Sequence, residues 1–291
     1  VHSSGHNKTI AQLECMKDLL APERKWNYVI ILENYDIALK TNEELVQIFK
    51  WFDGANDVAI KHLIPGRVNS TLDWTFEHLK IFKNESLYKT NATDPLHLEF
   101  AMSVAQNTLS RATVDFMVNQ LDLTIMLQQY DTVKYGMDEG FIPTLMTSDA
   151  LGLPGGFTHD CLDKGIEVKI CMTRFTIWGD NMKKCGSGLS RHWICIFGVE
   201  DLSVNFKDSI YLFGNKVFPQ LDYGAIGCWH EAMFNRTYID RGTHRLTKEV
   251  YTQLPLVRYH ADKKQNGKVD MDHFDCHYNI SDKHIIERHN I

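Results

Sequence analysis

Four stretches of the chain predict helices. In the first, apolar residues repeat every three residues from Ile10 to Leu19, and this amphipathic helix is expected to end near Pro22. The second opens with a capping box formed by Thr41 and Glu44. All four helices are predicted over 10–21, 41–54, 110–127 and 222–236.

Short apolar runs between the helices predict strands over 26–32, 56–63, 98–105 and 191–198. Alternating helices and strands predict an α/β fold, in which helices flank a mixed, partly parallel sheet. Residues 65–95 are polar and are interpreted as surface. Beyond residue 240 the chain is charged, rich in histidine and poor in apolar residues, which predicts a loosely packed polar tail over 241–291.

Composition and charge argue against two classes of partner. The 291 residues are 44% hydrophobic and 23% charged, which suits one large globular domain or two small ones. A net charge of -6 offers no basic surface to a nucleic acid. No run of about 18 apolar residues is present, so no membrane span is expected within this chain.

Two features indicate the secretory pathway. Six Asn-x-Ser/Thr sequons exceed what the composition would give by chance. They predict N-glycosylation at Asn7, Asn69, Asn84, Asn91, Asn235 and Asn279. Seven cysteines without a C-x-x-C pair favour disulfides over zinc ligands, and an odd count leaves at least one thiol without a partner in the chain.

Spacing suggests two disulfide candidates. Ten residues separate Cys185 from Cys195, with two glycines between them, which suits a small loop closed by a disulfide. Cys161 and Cys171 are a second candidate pair across a turn-rich segment.

Asp138 and Glu139 stand side by side in the stretch KYGMDEGFIPTL. One interpretation is structural, because acids in the first turn of a helix are stabilised by the helix dipole. The other is chemical and requires one carboxylate in a cleft, near a hydroxyl that it deprotonates. Spacing alone leaves both interpretations open.

Arg191, His192 and Lys216 are candidates for binding a diphosphate. Arg191 and His192 end the cysteine loop, and Lys216 follows a strand-like apolar segment. Converging guanidinium and ammonium groups bind phosphate oxygens well. The alternative is that these are solvated surface charges.

The segment DMDHFDCH, over 270–277, contains a D-x-D pattern that is typical of metal sites. It lies in a polar region with no strand before it, so no metal site is expected there. The sequence also contains no G-x-G-x-x-G, Walker, H-E-x-x-H or G-x-S-x-G motif.

Five motifs, in order, resemble the core-2/I-branching β-1,6-N-acetylglucosaminyltransferases, over Val1 to about Arg236. The first motif contains the segments LECMKDL and DIALKTNEELV, which resemble the family's C-M-x-D-L and D-x-P-x-K-T-N-x-E-x-V. The segments GMDEGFIPTL, ICIFGVEDL and LFGNKV resemble S-P-D-E-x-x-W-A-T, C-V-F-G-x-G-D-L and L-F-A-N-K-F, and AIGCWHEAM resembles the last cysteine helix. The divergent sequence is similar to a nematode-type branch of the family.

This resemblance implies a reaction. The family has a GT-A-type fold, uses UDP-GlcNAc, inverts the anomeric centre and needs no metal or other cofactor. Glu139 matches its catalytic base, which deprotonates the 6-hydroxyl of an acceptor sugar, while Asp138 would support the turn. Lys216 matches the cation that neutralises the departing diphosphate.

Further site residues follow from the same resemblance. The family's arginine precedes the second loop cysteine by three residues; His192 occupies that place here, with Arg191 before it. Trp178 matches a tryptophan that stacks on the acceptor. Glu139, Lys216 and Trp178 are therefore expected to surround one sugar ring, with functional atoms within about 15 Å of one another. The family's small disulfide also implies a bond between Cys185 and Cys195.

The resemblance also implies what lies outside the chain. The family's first β-α units, which hold uracil and ribose, are expected before Val1, and so are the partners of Cys15 and Cys228. On this view residues 1–240 are the C-terminal two-thirds of a catalytic domain, followed by the tail over 241–291. The chain departs from the family pattern in two places, with ENYD where the family has C-G-x-D and without the tryptophan that follows the D-E pair.

The leading hypothesis is a Golgi-lumenal glycoprotein, anchored as a type II membrane protein by a segment upstream of this chain. It would transfer N-acetylglucosamine from UDP-GlcNAc to the 6-hydroxyl of an acceptor glycan or glycoprotein, as in O-glycan branching. One alternative is a non-catalytic sugar-binding paralogue on the same scaffold. Another is peptide O-xylosyl transfer, which occurs on a related scaffold.

Overall fold

A computed structural model of the protein describes residues 5–87, 95–241 and 246–281. Its α-helices are α1 Lys8–Leu19, α2 Asn42–Phe52, α3 Phe76–Leu79, α4 Arg111–Asn119, α5 Thr124–Tyr130, α6 Met137–Thr147, α7 Asp160–Asp163, α8 Val199–Asp201, α9 Tyr223–Tyr238, α10 Lys248–Thr252 and α11 Pro255–Asn266. Its strands are β1 Tyr28–Ile31, β2 Asp36–Ala38, β3 Lys61–His62, β4 Ala101–Met102, β5 Asn107–Ser110, β6 Arg174–Phe175, β7 Ser190–Arg191, β8 Ile194–Cys195 and β9 Phe213–Asn215.

The described residues form two compact units. Within the described ranges, unit 1 draws on 5–29, 54–87, 95–169 and 255–278, and unit 2 on 30–53, 170–241, 246–254 and 279–281. In unit 1, β3 pairs antiparallel with β4. In unit 2, β9 lies between β2, which is antiparallel to it, and β6, which is parallel to it. The predicted mixed α/β character is confirmed, although the predicted strands over 56–63 and 98–105 shrink to two residues each.

In unit 1, the single helix predicted over 110–127 is wrong. Ser110 caps a helix as expected, and its Oγ accepts a hydrogen bond from the Thr113 amide. That helix, α4, ends at Asn119 because the next residues pair with a distant segment instead. The Lys83 amide donates to the Gln120 carbonyl at 2.9 Å, and α5 begins only at Thr124.

Buried aromatic rings fix the position of α6 in unit 1. The Trp74 and Tyr130 rings meet edge to face with centroids 5.2 Å apart. The Tyr130 hydroxyl bonds to Thr144 Oγ1 in α6 at 2.9 Å. Gly140 lets this ring approach the helix, since a Cβ there would lie 3.1 Å from Tyr130. The first turn of α6, which carries the acidic pair, is therefore anchored by the core.

Unit 2 has its own apolar core beneath the mixed sheet. Its buried residues include Ile37, Leu39, Phe197, Phe206 and Trp229. The Trp229 indole donates a hydrogen bond of 2.7 Å to the Ala38 carbonyl and so ties α9 to β2. The predicted helices α2 and α9 are confirmed, α2 with its capping box.

Disulfides settle two of the predicted pairings. Cys185 and Cys195 are bonded, with Cα atoms 5.7 Å apart, as predicted. The suggested pair of Cys161 with Cys171 is wrong, because Cys161 bonds to Cys276, 115 residues along the chain. Among the described residues, Cys15 and Cys228 form no disulfide, which agrees with the expectation for this chain.

The prediction of a loosely packed tail is also wrong where the structure describes it. Val250 and Tyr251 of α10 and Leu256 and Tyr259 of α11 are buried. Sparse apolar residues therefore suffice here, since they cluster on the inner faces of short helices. The division of the chain at residue 240 into catalytic part and tail stays a prediction. None of the helices in the described ranges is long and apolar enough to cross a membrane.

Two of the sequons have their asparagine side chains in compact turns. Asn69 Oδ1 accepts hydrogen bonds from the Thr71 amide and hydroxyl, and Asn84 Oδ1 accepts the equivalent pair from Ser86. Asn235 lies inside α9. Asn7 and Asn279 are exposed, whereas Asn91 lies outside the described residues.

Candidate active site

Asp138 and Glu139 both lie in the first turn of α6, so the structural interpretation of the acidic pair holds. Their surroundings differ. Asp138 accepts a hydrogen bond of 2.9 Å from Lys8 of α1, and its side chain is 11% exposed. The Glu139 side chain is 28% exposed, and its backbone carbonyl accepts from the Ser103 amide at 2.8 Å. Asp138 is therefore neutralised within the protein, while the Glu139 carboxylate is the more accessible of the two.

Arg67 stands next to the Glu139 carboxylate, with 3.5 Å between Nη1 and Oε2. Burial raises the pKa of Glu139 above its ordinary value, and the Arg67 charge is the main influence that opposes the rise. Asp138 raises this pKa further, and Lys8 lowers it. A half-buried carboxylate of this kind is suited to accepting a proton.

In unit 2, Lys216 directly follows β9 and its backbone is held on both sides. The Phe197 amide donates to the Lys216 carbonyl at 2.9 Å, and the Val217 amide donates to the Tyr35 carbonyl at 3.0 Å. Its neighbour Asn215 ends β9 opposite Asp36. The ammonium group is thus carried by a fixed strand end rather than by a free loop.

Arg174 and Arg191 are the cations that act on Lys216. Burial lowers the pKa of Lys216, and the charges of Arg174 and Arg191 lower it further, while Glu33 and Asp36 oppose them. Arg174 belongs to β6, which pairs with β9 directly before Lys216, and Arg191 belongs to β7. Such a group can compensate an anion that carries more than one charge.

Arg191 and His192 have different positions in the hairpin of β7 and β8. Arg191 pairs with Ile194 in this hairpin, and its guanidinium lies 5.2 Å from the centre of the Phe218 ring. His192 and Trp193 form the turn, with φ of 53° and 63°. A two-residue turn with positive φ matches the twist of a hairpin. Arg191 therefore lies in a strand and His192 in the turn, and the Arg191 charge is one of the two that lower the pKa of Lys216.

Trp178 offers a partly exposed ring near these cations. It forms a bridge with Ile194 of β8, and its side chain is 44% exposed. The Arg174 guanidinium lies 5.7 Å from the ring centroid. An aromatic face of this kind can stack on a sugar ring or another apolar surface.

Arg67 and Arg174 are the site residues that sequence reasoning missed. Each is an isolated arginine in an otherwise unremarkable segment, and its importance comes from a neighbour that is distant along the chain. The expectation that Glu139, Lys216 and Trp178 surround one sugar ring joins residues of the two units and stays a prediction.

The described residues contain one group of possible metal ligands, formed by Cys185, Cys195 and Asp201. The two sulfur atoms are bonded to each other, so they are not available as ligands in this state. Asp201 instead accepts hydrogen bonds from the amides of Gly186 and Gly198. This group therefore shapes the cysteine loop. In the segment over 270–277, Asp270 pairs with His273 at 2.8 Å.

Comparison with known proteins identifies the family of the chain. The sequence model of the Core-2/I-Branching enzyme family matches residues 1–204. The chain belongs to the core-2/I-branching enzyme family. The candidate base Glu139, the acceptor-stacking candidate Trp178 and the cation Arg191 lie within the matched residues, whereas Lys216 lies beyond them.

Relatives of this branching-enzyme chain are β-1,6-N-acetylglucosaminyltransferases. It is 32% identical over 218 residues to a human N-acetyllactosaminide beta-1,6-N-acetylglucosaminyl-transferase, covering 73% of this chain and 51% of that protein. It is 28% identical over 233 residues to beta-1,3-galactosyl-O-glycosyl-glycoprotein beta-1,6-N-acetylglucosaminyltransferase 4 of Danio rerio, covering 77% and 52%. The chain thus spans about half the length of these relatives.

Proposed function

We propose that the protein transfers N-acetylglucosamine from UDP-GlcNAc to the 6-hydroxyl of an acceptor glycan, with inversion and without a metal. The observation that carries this proposal is the contrast between two adjacent carboxylates. Asp138 is engaged by Lys8, whereas Glu139 keeps a partly exposed carboxylate whose pKa is raised by burial. Family membership supports a GT-A-type fold with this carboxylate at its catalytic centre.

In the proposed reaction, Glu139 accepts the proton of the acceptor 6-hydroxyl. The hydroxyl oxygen then uses its electron pair to form a bond to the anomeric carbon, from the face opposite the leaving group. The bond from that carbon to the diphosphate oxygen breaks, and UDP leaves with the electron pair. A base in hydrogen-bond contact with the hydroxyl, at about 3 Å, is what this step requires.

The leaving diphosphate needs compensating positive charge as the bond breaks. Lys216 and Arg191 are proposed to supply it together with Arg174, since the charges of both arginines act on Lys216. Fixed cations stabilise a developing charge without having to reorganise during the reaction. They would therefore take the place of a divalent metal.

The acceptor is proposed to be a galactose-containing glycan that stacks on Trp178. The names of the relatives support this class, since they mention N-acetyllactosaminide and β-1,3-galactosyl-O-glycosyl acceptors. Two disulfides and six sequons support a place in the Golgi lumen, with any membrane anchor outside this chain.

The test is transfer from radiolabelled UDP-GlcNAc to N-acetyllactosamine and to galactosyl-β-1,3-N-acetylgalactosamine, by the protein as its gene encodes it. Glu139→Gln should keep UDP binding and lower turnover by about 10²-fold or more, because a general base is lost. Asp138→Asn is the matched control and should change turnover much less. A wild type that binds these glycans but transfers nothing would favour the sugar-binding paralogue, and transfer of xylose from UDP-xylose to a peptide serine would favour O-xylosyl transfer.

A further inference from the structure

Arg67 is held against the first turn of α6 by two contacts. Its guanidinium carbon lies 4.5 Å from the centre of the Tyr135 ring, and Nη1 lies 3.5 Å from Glu139 Oε2. The side chain is only 20% exposed. Nη1 is buried and makes no hydrogen bond within the part of the chain that the structure describes. The guanidinium is therefore placed by ring stacking and by its ion pair with Glu139.

Gly136 provides the space for this guanidinium. It precedes α6 with a φ of 77°, in the left-handed region. A Cβ at this position would lie 1.4 Å from Arg67 Nη1 and 3.2 Å from Glu139 Oε2. The arginine thus occupies the volume that a side chain at residue 136 would need. Tyr135, Gly136 and Glu139 together form the binding position of the Arg67 guanidinium.

We propose that Arg67 is a positioning residue for Glu139: seated on Tyr135 and Gly136, it orients the carboxylate and keeps it ionised for proton abstraction. This inference rests on the proposed function, in which Glu139 is the base. It adds a residue that the sequence motifs do not contain.

The charges around Glu139 favour this role. Burial raises its pKa most, and the charged neighbours are Arg67 from the loop after β3, Asp138 from α6, Lys8 from α1 and Lys61 from β3. Lys8 is already paired with Asp138, so its effect on Glu139 is partly cancelled. Arg67 is the largest of the influences that lower the pKa. Without it, burial would act with little opposition, and the carboxylate would take up a proton at higher pH.

Two independent variants remove the contact. Arg67→Gln deletes the charge, and Gly136→Ala displaces the guanidinium while keeping its charge, although its Cβ also comes within 3.2 Å of Glu139 Oε2. Gly152→Ala is the matched control for backbone strain, because Gly152 has a φ of 63° but nothing within 4 Å of its added Cβ. Arg67→Lys keeps the charge but removes the guanidinium that lies over the Tyr135 ring.

Two quantities are measured. The first is the pKa of Glu139, obtained from carbon NMR spectra of protein with labelled glutamate side chains at a series of pH values. The second is the pH profile of kcat/KM. In both Arg67→Gln and Gly136→Ala, the pKa of Glu139 should rise by about one unit. The acid limb of the kcat/KM profile should shift to higher pH by the same amount, so that kcat/KM on this limb is about tenfold lower than in wild type. Activity should recover at higher pH, with Arg67→Lys between wild type and Arg67→Gln. Gly152→Ala should titrate like wild type.

An unchanged Glu139 titration in Arg67→Gln would overturn the inference, even where the wild type transfers sugar. A rate that falls equally at every pH would overturn it too, since that indicates contact with substrate or loss of fold. A wild type without transferase activity would overturn the proposed function instead, even where the titration moves as expected.

Discussion

Arg174 Nη2 donates a hydrogen bond of 2.6 Å to the side-chain oxygen of Asn215, the residue that directly precedes Lys216. Asn215 Nδ2 in turn donates to Asp36 Oδ1 at 2.6 Å. The three side chains form a polar chain across β6, β9 and β2. It fixes the strand end that carries Lys216 and brings a second cation to it.

Arg174→Gln should extend UDP binding to higher pH. Lys216 must be protonated to attract the diphosphate, and its pKa is lowered by burial and then by Arg174. Removing the Arg174 charge therefore raises the Lys216 pKa, so that the alkaline loss of UDP affinity occurs at higher pH. Affinity at neutral pH should still fall severalfold, because one cation is gone. Calorimetric titration with UDP from pH 7 to 10 measures both effects.

Arg111→Gln is the control for Arg174→Gln. Arg111 also lies over a tryptophan, with its guanidinium 5.1 Å from the Trp26 ring, but it belongs to unit 1. It should leave the alkaline loss of affinity unchanged. If Arg174→Gln and wild type lose UDP at the same pH, Arg174 does not act on Lys216.

Local patterns were sufficient for several elements of this fold. The apolar spacing from Ile10 to Leu19 predicted α1 correctly, and the capping box of Thr41 and Glu44 predicted α2. Both signals depend only on residues within one or two helical turns. The break after Asn119 depends on pairing with 81–83, and no local signal encodes it.

The candidate site shows the same limit. Motif resemblance led to Glu139 and Lys216, but Arg67 and Arg174 matter only through contacts made by folding. The disulfide partner of Cys276 could likewise not be predicted from the sequence, since it lies 115 residues away and the segment around Cys276 is polar.

Transfer should survive chelation of divalent metals. The cationic group around Lys216 is proposed to carry the charge compensation, so excess EDTA should leave the initial rate within about twofold of the untreated enzyme. Lys216→Ala should lower UDP affinity, and added Mn²⁺ should not restore it. Strict dependence of the wild type on Mn²⁺ would contradict the role given to these cations.

The two disulfides should contribute unequally to stability. Cys161–Cys276 closes a separation of 115 residues and Cys185–Cys195 one of 10. Loop-closure entropy then predicts a loss of about 5 kcal/mol in the free energy of unfolding for Cys161→Ser and about 3 kcal/mol for Cys185→Ser. Guanidinium unfolding measures both, with Cys15→Ser as the control because that thiol is exposed and forms no disulfide in the described part of the chain. Equal losses would show that strain or residual structure outweighs loop length.

Lys40 should make the protein more stable as the pH rises above 8. It is buried beside the Ser209 carbonyl, to which Nζ donates a hydrogen bond. Burial, assisted by the Arg236 charge, lowers its pKa from 10.5 to about 8, although Glu44 and Asp208 act in the opposite direction. Between these two pH values the unfolded chain binds a proton that the folded protein has released. The free energy of unfolding therefore increases with pH across this window.

Lys40→Met removes the titrating group and with it this pH dependence. The difference in the free energy of unfolding between wild type and Lys40→Met should therefore change in favour of wild type by up to about 3 kcal/mol between pH 8 and pH 10.5. Urea unfolding at half-unit steps of pH measures the difference and cancels the titration of other groups. Lys50→Met is the control, because Lys50 is exposed at the last turn of α2 and should give a curve parallel to that of wild type. If Lys40→Met also runs parallel to wild type, Lys40 keeps its proton in the folded state, and its hydrogen bond to the Ser209 carbonyl and the charges of Glu44 and Asp208 outweigh the cost of desolvation.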